Sequence, residues 1–298
     1  MTSPRTRIRG VVAAAATPVG ADFAPDLGRL AAHCRALLDG GCDAINLLGT
    51  TGEANAFSVE QRIRVMRAVA EAGLPLDRFM VGTGVCALED SVRLTQAACE
   101  IGFAGALVLP PFFYQGVPDF GLVEYISELV RRAAHPKLAL YLYHIPQNTG
   151  VPWPIEVVAE LKRRHPKVLL GLKDSAGDLA YARAVVGAVA DFDVFPSSES
   201  ALSNAHADGY AGCISATVNL TAVESQAAWS GQGTETGLAA ARKASDLRAL
   251  FVQYPLVSAV KAALAARYHD AEWSRVCLPL RPLDAQHAGA LGRALDLV

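Results

Sequence analysis

Residues 168–173 read VLLGLK, an apolar run that closes on a charged residue. Short runs that are apolar throughout are typical of parallel strands covered on both faces. Seven further runs of this kind occur, at residues 10–16, 44–49, 79–83, 105–109, 138–143, 193–197 and 212–216. Segments with helical periodicity separate them, at residues 26–38, 59–71, 89–101, 120–134, 154–163 and 179–190. The chain therefore predicts a repeated β/α unit.

Eight such strands predict an α/β fold, and their number favours a closed (β/α)₈ TIM barrel over an open sheet. No strand-like run follows the eighth strand, and glycines and a proline divide the rest into helical segments. We therefore expect a barrel over residues 1–220 that carries the active site, and a C-terminal helical extension packed on it over residues 221–298. Ser58 with Gln61, and also Asp119 and Asp178, are typical of helix N-caps.

The composition indicates a folded protein whose default partner is a small molecule. Of the 298 residues 52% are hydrophobic and 19% are charged, and the formal net charge is −2. That charge balance gives no sign of a basic surface for nucleic acid or an anionic membrane. No apolar stretch approaches the roughly 20 residues of a membrane span. The apolar run at 11–16 is too short and too rich in alanine for a typical secretion signal, so we expect a first strand and a cytoplasmic protein.

Neither a metal site nor an organic cofactor is predicted. The six cysteines contain no C-x-x-C pair and read as buried thiols: Cys34, Cys42, Cys86, Cys99, Cys213 and Cys277. The seven histidines show no zinc-ligand spacing. Gly82-x-Gly84 follows the third run, but residue 87 is alanine, so dinucleotide binding is not expected there.

Lys173 is the first candidate for chemistry. It is the only one of six lysines that closes an apolar run, and active sites of barrels lie at the carboxyl ends of the strands. Desolvation there would favour the neutral amine, which can attack a carbonyl and form an imine. The alternative is a lysine paired with Asp174 at the rim, which position alone does not exclude.

Three further groups lie where strands end. Tyr143 closes the fifth run, where its phenol could move protons beside a lysine or simply fill the core. The segment Gly49-Thr50-Thr51-Gly52-Glu53 offers amides and hydroxyls that suit a carboxylate or a phosphate. The segment 197–200, which includes Ser198 and Glu199, could bind a polyhydroxy substrate or cap the following helix.

Three motifs in this order make the chain resemble the dihydrodipicolinate synthase/N-acetylneuraminate lyase family. They are Gly-Thr-Thr-Gly-Glu at 49–53, Tyr143-x-x-Pro146-x-x-Thr149-Gly150, and Gly171-Leu172-Lys173-Asp174. The resemblance extends from about Arg9 through the eighth strand and the helical extension. It implies a class I lyase that is a homotetramer, a dimer of dimers, with no metal or organic cofactor.

The resemblance also implies roles for individual residues. Lys173 matches the Schiff-base lysine, and Tyr143 and Thr50 match the proton-relaying residues. Gly49 and Thr51 belong to the loop that matches the pyruvate-carboxylate site, and Ile214 matches a residue whose backbone lines the pyruvate pocket. Pyruvate and an aldehyde co-substrate are therefore the expected small-molecule partners.

The sequence departs from the synthase where the second substrate binds. Asn148 stands where the synthase carries a carboxylate-binding arginine, which a neutral amide cannot replace. Phe113, or Tyr114 after a one-residue shift, aligns with a tyrosine that the synthase donates across its dimer. Residues 173–178 resemble the sugar-acid aldolase branch more than the synthase branch.

Three hypotheses follow. The first is a pyruvate-forming lyase, aldolase or dehydratase acting on a 2-oxo acid such as a 2-oxo-3-deoxy sugar acid. The second is 4-hydroxy-tetrahydrodipicolinate (dihydrodipicolinate) synthase, which condenses pyruvate with aspartate semialdehyde. The third, of another class, is a non-catalytic barrel that binds 2-oxo acids.

Overall fold

The computed structural model describes residues 7–297 and contains eight parallel strands. The strands are β1 (Gly10–Ala14), β2 (Ala44–Leu47), β3 (Phe79–Gly82), β4 (Gly105–Val108), β5 (Leu140–His144), β6 (Leu169–Asp174), β7 (Asp193–Pro196) and β8 (Gly212–Ser215). Each strand overlaps one of the predicted runs. Residues 1–6 of the predicted barrel and residue 298 of the predicted extension lie outside the described residues.

Eleven α-helices lie within residues 7–297. They are α1 (Leu27–Asp39), α2 (Val59–Glu71), α3 (Leu88–Ile101), α4 (Asp119–Ala133), α5 (Pro146–Thr149), α6 (Ile155–Arg164), α7 (Ala180–Ala188), α8 (Val218–Ser230), α9 (Glu235–Phe251), α10 (Leu256–Tyr268) and α11 (Ala285–Ala294). The capping box at Ser58 and Gln61 is confirmed. Asp119 is instead the first residue of α4 after Pro118, so it is not the N-cap that the sequence predicts. Leu179 directly precedes α7, but the carboxylate of Asp178 accepts the amide N–H of Ala180, the first residue of that helix, at 2.7 Å.

The strands follow the order β7-β6-β5-β4-β3-β2-β1-β8, which confirms the predicted TIM barrel. A backbone hydrogen bond of 2.9 Å, from the amide of Ala211 to the carbonyl of Val194, joins the two ends of the sheet. The barrel is therefore nearly closed. All strands run in one direction, so their carboxyl ends meet at one mouth.

The core has an inner and an outer layer. The inner cluster contains strand residues such as Met80, Tyr141 and Phe195 and no helix residue, so it fills the barrel. The outer layer joins the opposite strand faces to the surrounding helices. A separate cluster packs Phe251 and Val260 of the extension against Ala16 and Ala216, which follow β1 and β8. The extension is thereby held over the mouth of the barrel.

The predicted division at residues 220 and 221 falls inside α8. This helix packs both on β1 and β8 of the barrel and on α9, so it joins the barrel to the segment that follows it. The helices of the extension are α9, α10 and α11. Within residues 7–297 no single helix is long and apolar enough to cross a membrane, although α9 and α10 pass that test together as a pair bent by 107°.

A register shift between β5 and β6 decides which way β6 side chains point. Leu140 pairs with Leu169, but Tyr141 pairs with Gly171, so Leu170 is an extra residue in β6. Leu169 packs in the outer layer and Leu170 in the inner cluster. Strict alternation from Leu169 would place residue 173 outside. The bulge turns Lys173 inward and pairs it with Tyr143.

Gly171 makes this bulge sterically feasible. A Cβ atom at residue 171 would lie 2.1 Å from the carbonyl oxygen of Asp193 and 2.9 Å from the ring of Tyr141. Both neighbours are fixed, one by the backbone of β7 and the other by the inner cluster. A side chain at residue 171 therefore has no space.

We expect Gly171→Ala to lower the free energy of unfolding by about 1–3 kcal/mol, because the new methyl group must displace backbone. Urea denaturation followed by circular dichroism measures the change. Gly187→Ala is the matched control, since a Cβ atom at residue 187 of α7 meets nothing within 4 Å. Equal stability of the two variants would contradict the steric role of Gly171.

Candidate active site

A cavity of about 290 Å³ opens at the carboxyl ends of the strands. Residues from both the barrel and the extension line it, among them Thr50, Thr51, Tyr143, Asn148, Lys173, Ser175, Ser197, Ile214, Arg248, Pro255 and Ser258. Its size is near the lower end of ligand pockets, which suits a small metabolite.

Lys173 and Tyr143 meet inside this cavity. The ammonium nitrogen of Lys173 lies 4.4 Å from the centre of the Tyr143 ring, and both side chains are buried. Trp153 holds the backbone at the end of β5 in place, because its indole N–H donates to the carbonyl of Tyr143 at 3.2 Å. The amine is thus enclosed against an aromatic face, where it can reach the carbonyl carbon of a bound ligand.

The rim salt bridge with Asp174 is not what the structure shows. Within residues 7–297, the side chain of Lys173 forms no ion pair with a carboxylate. Asp174 is buried, and its carboxylate accepts the amide N–H of Ala176 at 3.0 Å. Burial raises the pKa of Asp174 to about 6.

Thr50 joins the pair through its hydroxyl. Its Oγ1 atom lies 3.0 Å from the phenol oxygen of Tyr143, so a proton can pass between the two groups. Thr51 is buried beside it and also lines the cavity. The structure therefore brings together Lys173, Tyr143, Thr50 and Thr51 as the sequence predicts.

A buried ion pair holds the threonine loop in place. Glu53 has a left-handed backbone with φ of 54°, which is a strained conformation for a side-chain-bearing residue. Its carboxylate accepts hydrogen bonds from the ammonium of Lys261 in α10 and, at 2.6 Å, from the amide of Cys277. Lys261 and Glu53 are almost fully enclosed, so the extension locks the conformation of the loop.

The other predicted site residues divide into two groups. Ile214 and Asn148 line the main cavity, and Asn148 is exposed to it. Gly49 lines a smaller adjoining cavity together with Thr50 and Tyr143. Ser198 and Glu199 are not among the residues that line the main cavity.

Glu199 is instead fully buried behind the cavity wall. Its carboxylate accepts hydrogen bonds from the hydroxyls of Ser215, Thr217 and Thr221. Ser198 is partly exposed, and its Oγ atom accepts the amide N–H of Ser200 at 3.4 Å. Glu199 therefore holds the hydroxyls of the segment after β8 in place, and Ser198 caps the short helical turn that follows it.

Arg248 is a cavity residue that sequence reasoning missed. It lies in α9 of the extension, where its helical neighbours give no local signal of function. Its Nη1 atom donates to Ser215 Oγ at 3.1 Å and to Thr217 Oγ1 at 3.2 Å, and lies 3.5 Å from Glu199. Only packing of the extension on the barrel brings this cation to the mouth.

His144, at the end of β5, is a neutral structural group. Its Nδ1 atom accepts the amide N–H of Trp153 at 3.1 Å, and its ring stacks on Tyr181 at 3.8 Å. Burial lowers the pKa of His144 to about 4. Within residues 7–297 no group of three or more His, Cys, Asp or Glu side chains could hold a metal ion.

A TIM barrel whose mouth holds a buried lysine against a tyrosine, with a threonine in hydrogen-bond contact, defines a class I lyase, an enzyme that works through a lysine imine. Comparison with known proteins agrees with this class. The chain belongs to the dihydrodipicolinate synthetase family, whose sequence model matches residues 7–297. The predicted family, fold and enzyme class are thus confirmed.

Individual relatives show the extent of the likeness. A DapA-like lyase of Chloroflexus aurantiacus is 33% identical, with 97% of both chains covered. The 4-hydroxy-tetrahydrodipicolinate synthase of Saccharophagus degradans is 30% identical over 97% of this chain and 98% of the relative. The crystal structure of dihydrodipicolinate synthase from Agrobacterium tumefaciens superposes with a TM-score of 0.88 at 26% identity, covering 96% of this chain and 98% of that one.

The buried His144 predicts an acid-sensitive stability. A histidine whose folded pKa lies below its unfolded value stabilises the fold above pH 6.5, and that contribution is lost as the pH falls toward about 4. His144→Asn keeps an acceptor for Trp153 without the titrating ring. Between neutral pH and about pH 4.5, we expect the free energy of unfolding of the variant to fall by about 2 kcal/mol less than that of the parent.

Urea denaturation across this pH range measures the difference. Asp174 titrates in the opposite sense, because its raised pKa stabilises the fold as the pH falls. That contribution is present in both proteins and cancels in the comparison. Parallel pH profiles of the parent and the variant would refute the assignment to His144.

Proposed function

We propose that this enzyme forms an imine between Lys173 and a 2-oxo acid, with pyruvate as one partner, and makes or breaks the adjacent carbon–carbon bond. The observation that carries the proposal is the enclosed contact of Lys173 with Tyr143, whose phenol reaches Thr50 at 3.0 Å. The family's chemistry and the lyase and synthase relatives support the same reaction class.

The imine forms in two steps. The amine of Lys173 attacks C2 of the oxo acid, and the carbonyl oxygen takes up a proton to give a carbinolamine. Tyr143 supplies that proton and is left as a phenolate, which Thr50 stabilises because their oxygens are in hydrogen-bond contact. Loss of water then leaves a protonated imine, while Thr51 and its neighbouring amides hold the carboxylate of the substrate.

Cleavage uses the imine as an electron sink. A base, for which Tyr143 is placed, removes the proton of the C4 hydroxyl, and the C3–C4 bond breaks to release an aldehyde. The electron pair moves into the imine and gives an enamine. Protonation at C3 and hydrolysis release pyruvate and restore the Lys173 amine. Loss of a water molecule from the same imine would make the enzyme a dehydratase.

A 2-oxo-3-deoxy sugar acid fits the polar part of the cavity. Ser175, Ser197 and Asn148 present hydroxyl and amide groups along the wall beyond Lys173. Asn148 offers no charged fork for the carboxylate of aspartate semialdehyde, which disfavours the synthase reaction as the second candidate. The third hypothesis, a non-catalytic barrel that binds 2-oxo acids, is disfavoured because the relatives are named as lyases or synthases.

The homotetramer and the cytoplasmic location remain proposals. A subunit contact is supported by Phe113 and Tyr114, which follow β4 and are 74% and 73% exposed with their rings packed edge to face. An exposed aromatic pair of this kind is typical of an interaction surface. Sedimentation velocity of the full chain tests the assembly.

Incubation with pyruvate and borohydride should add one reduced pyruvate to the protein, because borohydride traps a lysine imine irreversibly. Mass spectrometry of the intact protein and of its peptides should place the adduct on Lys173. Lys173→Ala should abolish it, whereas Lys243→Ala, at an exposed lysine of α9, should keep it. An adduct that survives in Lys173→Ala would overturn the proposal.

A substrate screen separates the two candidate reactions. We expect 2-oxo-3-deoxy sugar acids to release pyruvate, measured by coupled lactate dehydrogenase. We expect condensation of pyruvate with aspartate semialdehyde to be about 10- to 100-fold slower, because the charged carboxylate contact that is missing at Asn148 is worth roughly 1.5–3 kcal/mol. Efficient condensation without cleavage of any sugar acid would instead establish the synthase activity.

A further inference from the structure

The charges that face the main cavity are uneven. Among the described residues that line it, Lys173 and Arg248 are basic, and no aspartate or glutamate belongs to the lining. The whole chain nevertheless has a formal net charge of −2. A cavity with one sign of charge on low-dielectric walls selects ligands of the opposite sign. Glu199 lies 3.5 Å from Arg248 behind the cavity wall and offsets part of its charge, so Arg248 would bind a second anion through its free N–H groups.

Arg248 is anchored through one end of its guanidinium. Within the described chain, all of its hydrogen bonds come from Nη1, which donates to Ser215 and Thr217 and lies near Glu199. Nη2 and Nε have no acceptor among residues 7–297. The anchor removes much of the rotational freedom of the side chain, so a ligand that binds the remaining N–H groups meets a preorganised donor pair.

The position of Arg248 separates it from the reacting amine. Lys173 lies on β6, whereas Arg248 is held at the end of β8, and β7 lies between them around the nearly closed barrel. Both side chains line the same cavity. A 2-oxo acid bound through C2 to Lys173 would therefore meet Arg248 with its far end.

From these observations we propose that the substrate is a dianion, a 2-oxo acid whose far end carries a carboxylate or phosphate that Arg248 binds. This inference rests on the proposed function and names its substrate class. The planar guanidinium matches an oxyanion through two parallel hydrogen bonds, which Asn148 cannot supply. The extension thus provides the selectivity for the second group, and the barrel provides the imine chemistry.

Calorimetric titration with matched oxo acids tests the proposal. The probes are 2-oxoglutarate and 2-oxoadipate, their monoanionic counterparts 2-oxopentanoate and 2-oxohexanoate, which lack the terminal carboxylate, and 2-oxo-5-phosphonopentanoate. We expect the parent to bind at least one dianion about 10- to 100-fold more tightly than its monoanionic counterpart. Tighter binding of the phosphonate than of the dicarboxylates would assign the far group as a phosphate.

Arg248→Gln should abolish that preference by weakening the binding of the dianions alone, and Arg248→Lys should keep part of the preference. Arg242→Gln is the matched control, because it removes the same charge from an exposed position of α9. Arg248→Gln alone leaves the buried carboxylate of Glu199 without its partner, which could unfold the protein. The double variant Glu199→Gln/Arg248→Gln removes both charges of this pair, and a thermal melt shows whether it is folded.

The outcomes separate this inference from the function on which it rests. Equal affinity of the parent for dianions and monoanions, or equal effects of Arg242→Gln and Arg248→Gln, would overturn the role of Arg248. Neither result affects a pyruvate adduct trapped on Lys173. Absence of that adduct would refute the imine chemistry, while the calorimetric preference would still decide whether Arg248 selects dianions.

Discussion

The single extra residue in β6 determines what this active site can be. Leu170 interrupts the alternation of the strand, so that Leu169 faces the helices and Lys173 faces the inside of the barrel. In the same register Lys173 pairs with Tyr143 of β5. Without the shift, the amine would point into the apolar layer between strands and helices, where a charged group is costly and no substrate can reach it. The contact between the two side chains follows from backbone geometry.

The C-terminal extension completes the site that the barrel begins. Lys261 reaches Glu53 and locks the strained loop that carries Thr50 and Thr51. Arg248 reaches the end of β8 and compensates the buried charge of Glu199. Breaking a buried ion pair costs several kcal/mol, because the remaining charge has no partner. The loop, the cavity wall and the extension are therefore energetically one unit.

The site divides into a half for chemistry and a half for selection. Lys173, Tyr143 and Thr50 lie on strand ends or on the loop after β2, as the class I reaction requires. The opposite wall combines neutral polar groups with Arg248 from α9. Under the proposed function, Arg248 comes from the extension and the imine-forming residues from the barrel, so selectivity for a second anion can change with the extension while the imine chemistry stays. That separation is the structural reason that family membership alone does not name the substrate.

Much of the protein follows from its sequence. Each strand and the main helices are local patterns of apolar residues, and the three motifs mark Lys173, Tyr143 and the threonine loop, because short-range pattern and chain order determine them. The bulge at Leu170, the pairing of Glu53 with Lys261 and the arrival of Arg248 at the mouth were not predictable in this way. Each depends on contacts between segments far apart in the chain, and their energies arise only when the barrel closes and the extension packs on it. The sequence by itself determined the fold and the reaction class, while the tertiary structure decided which way the lysine points and which charges face the substrate.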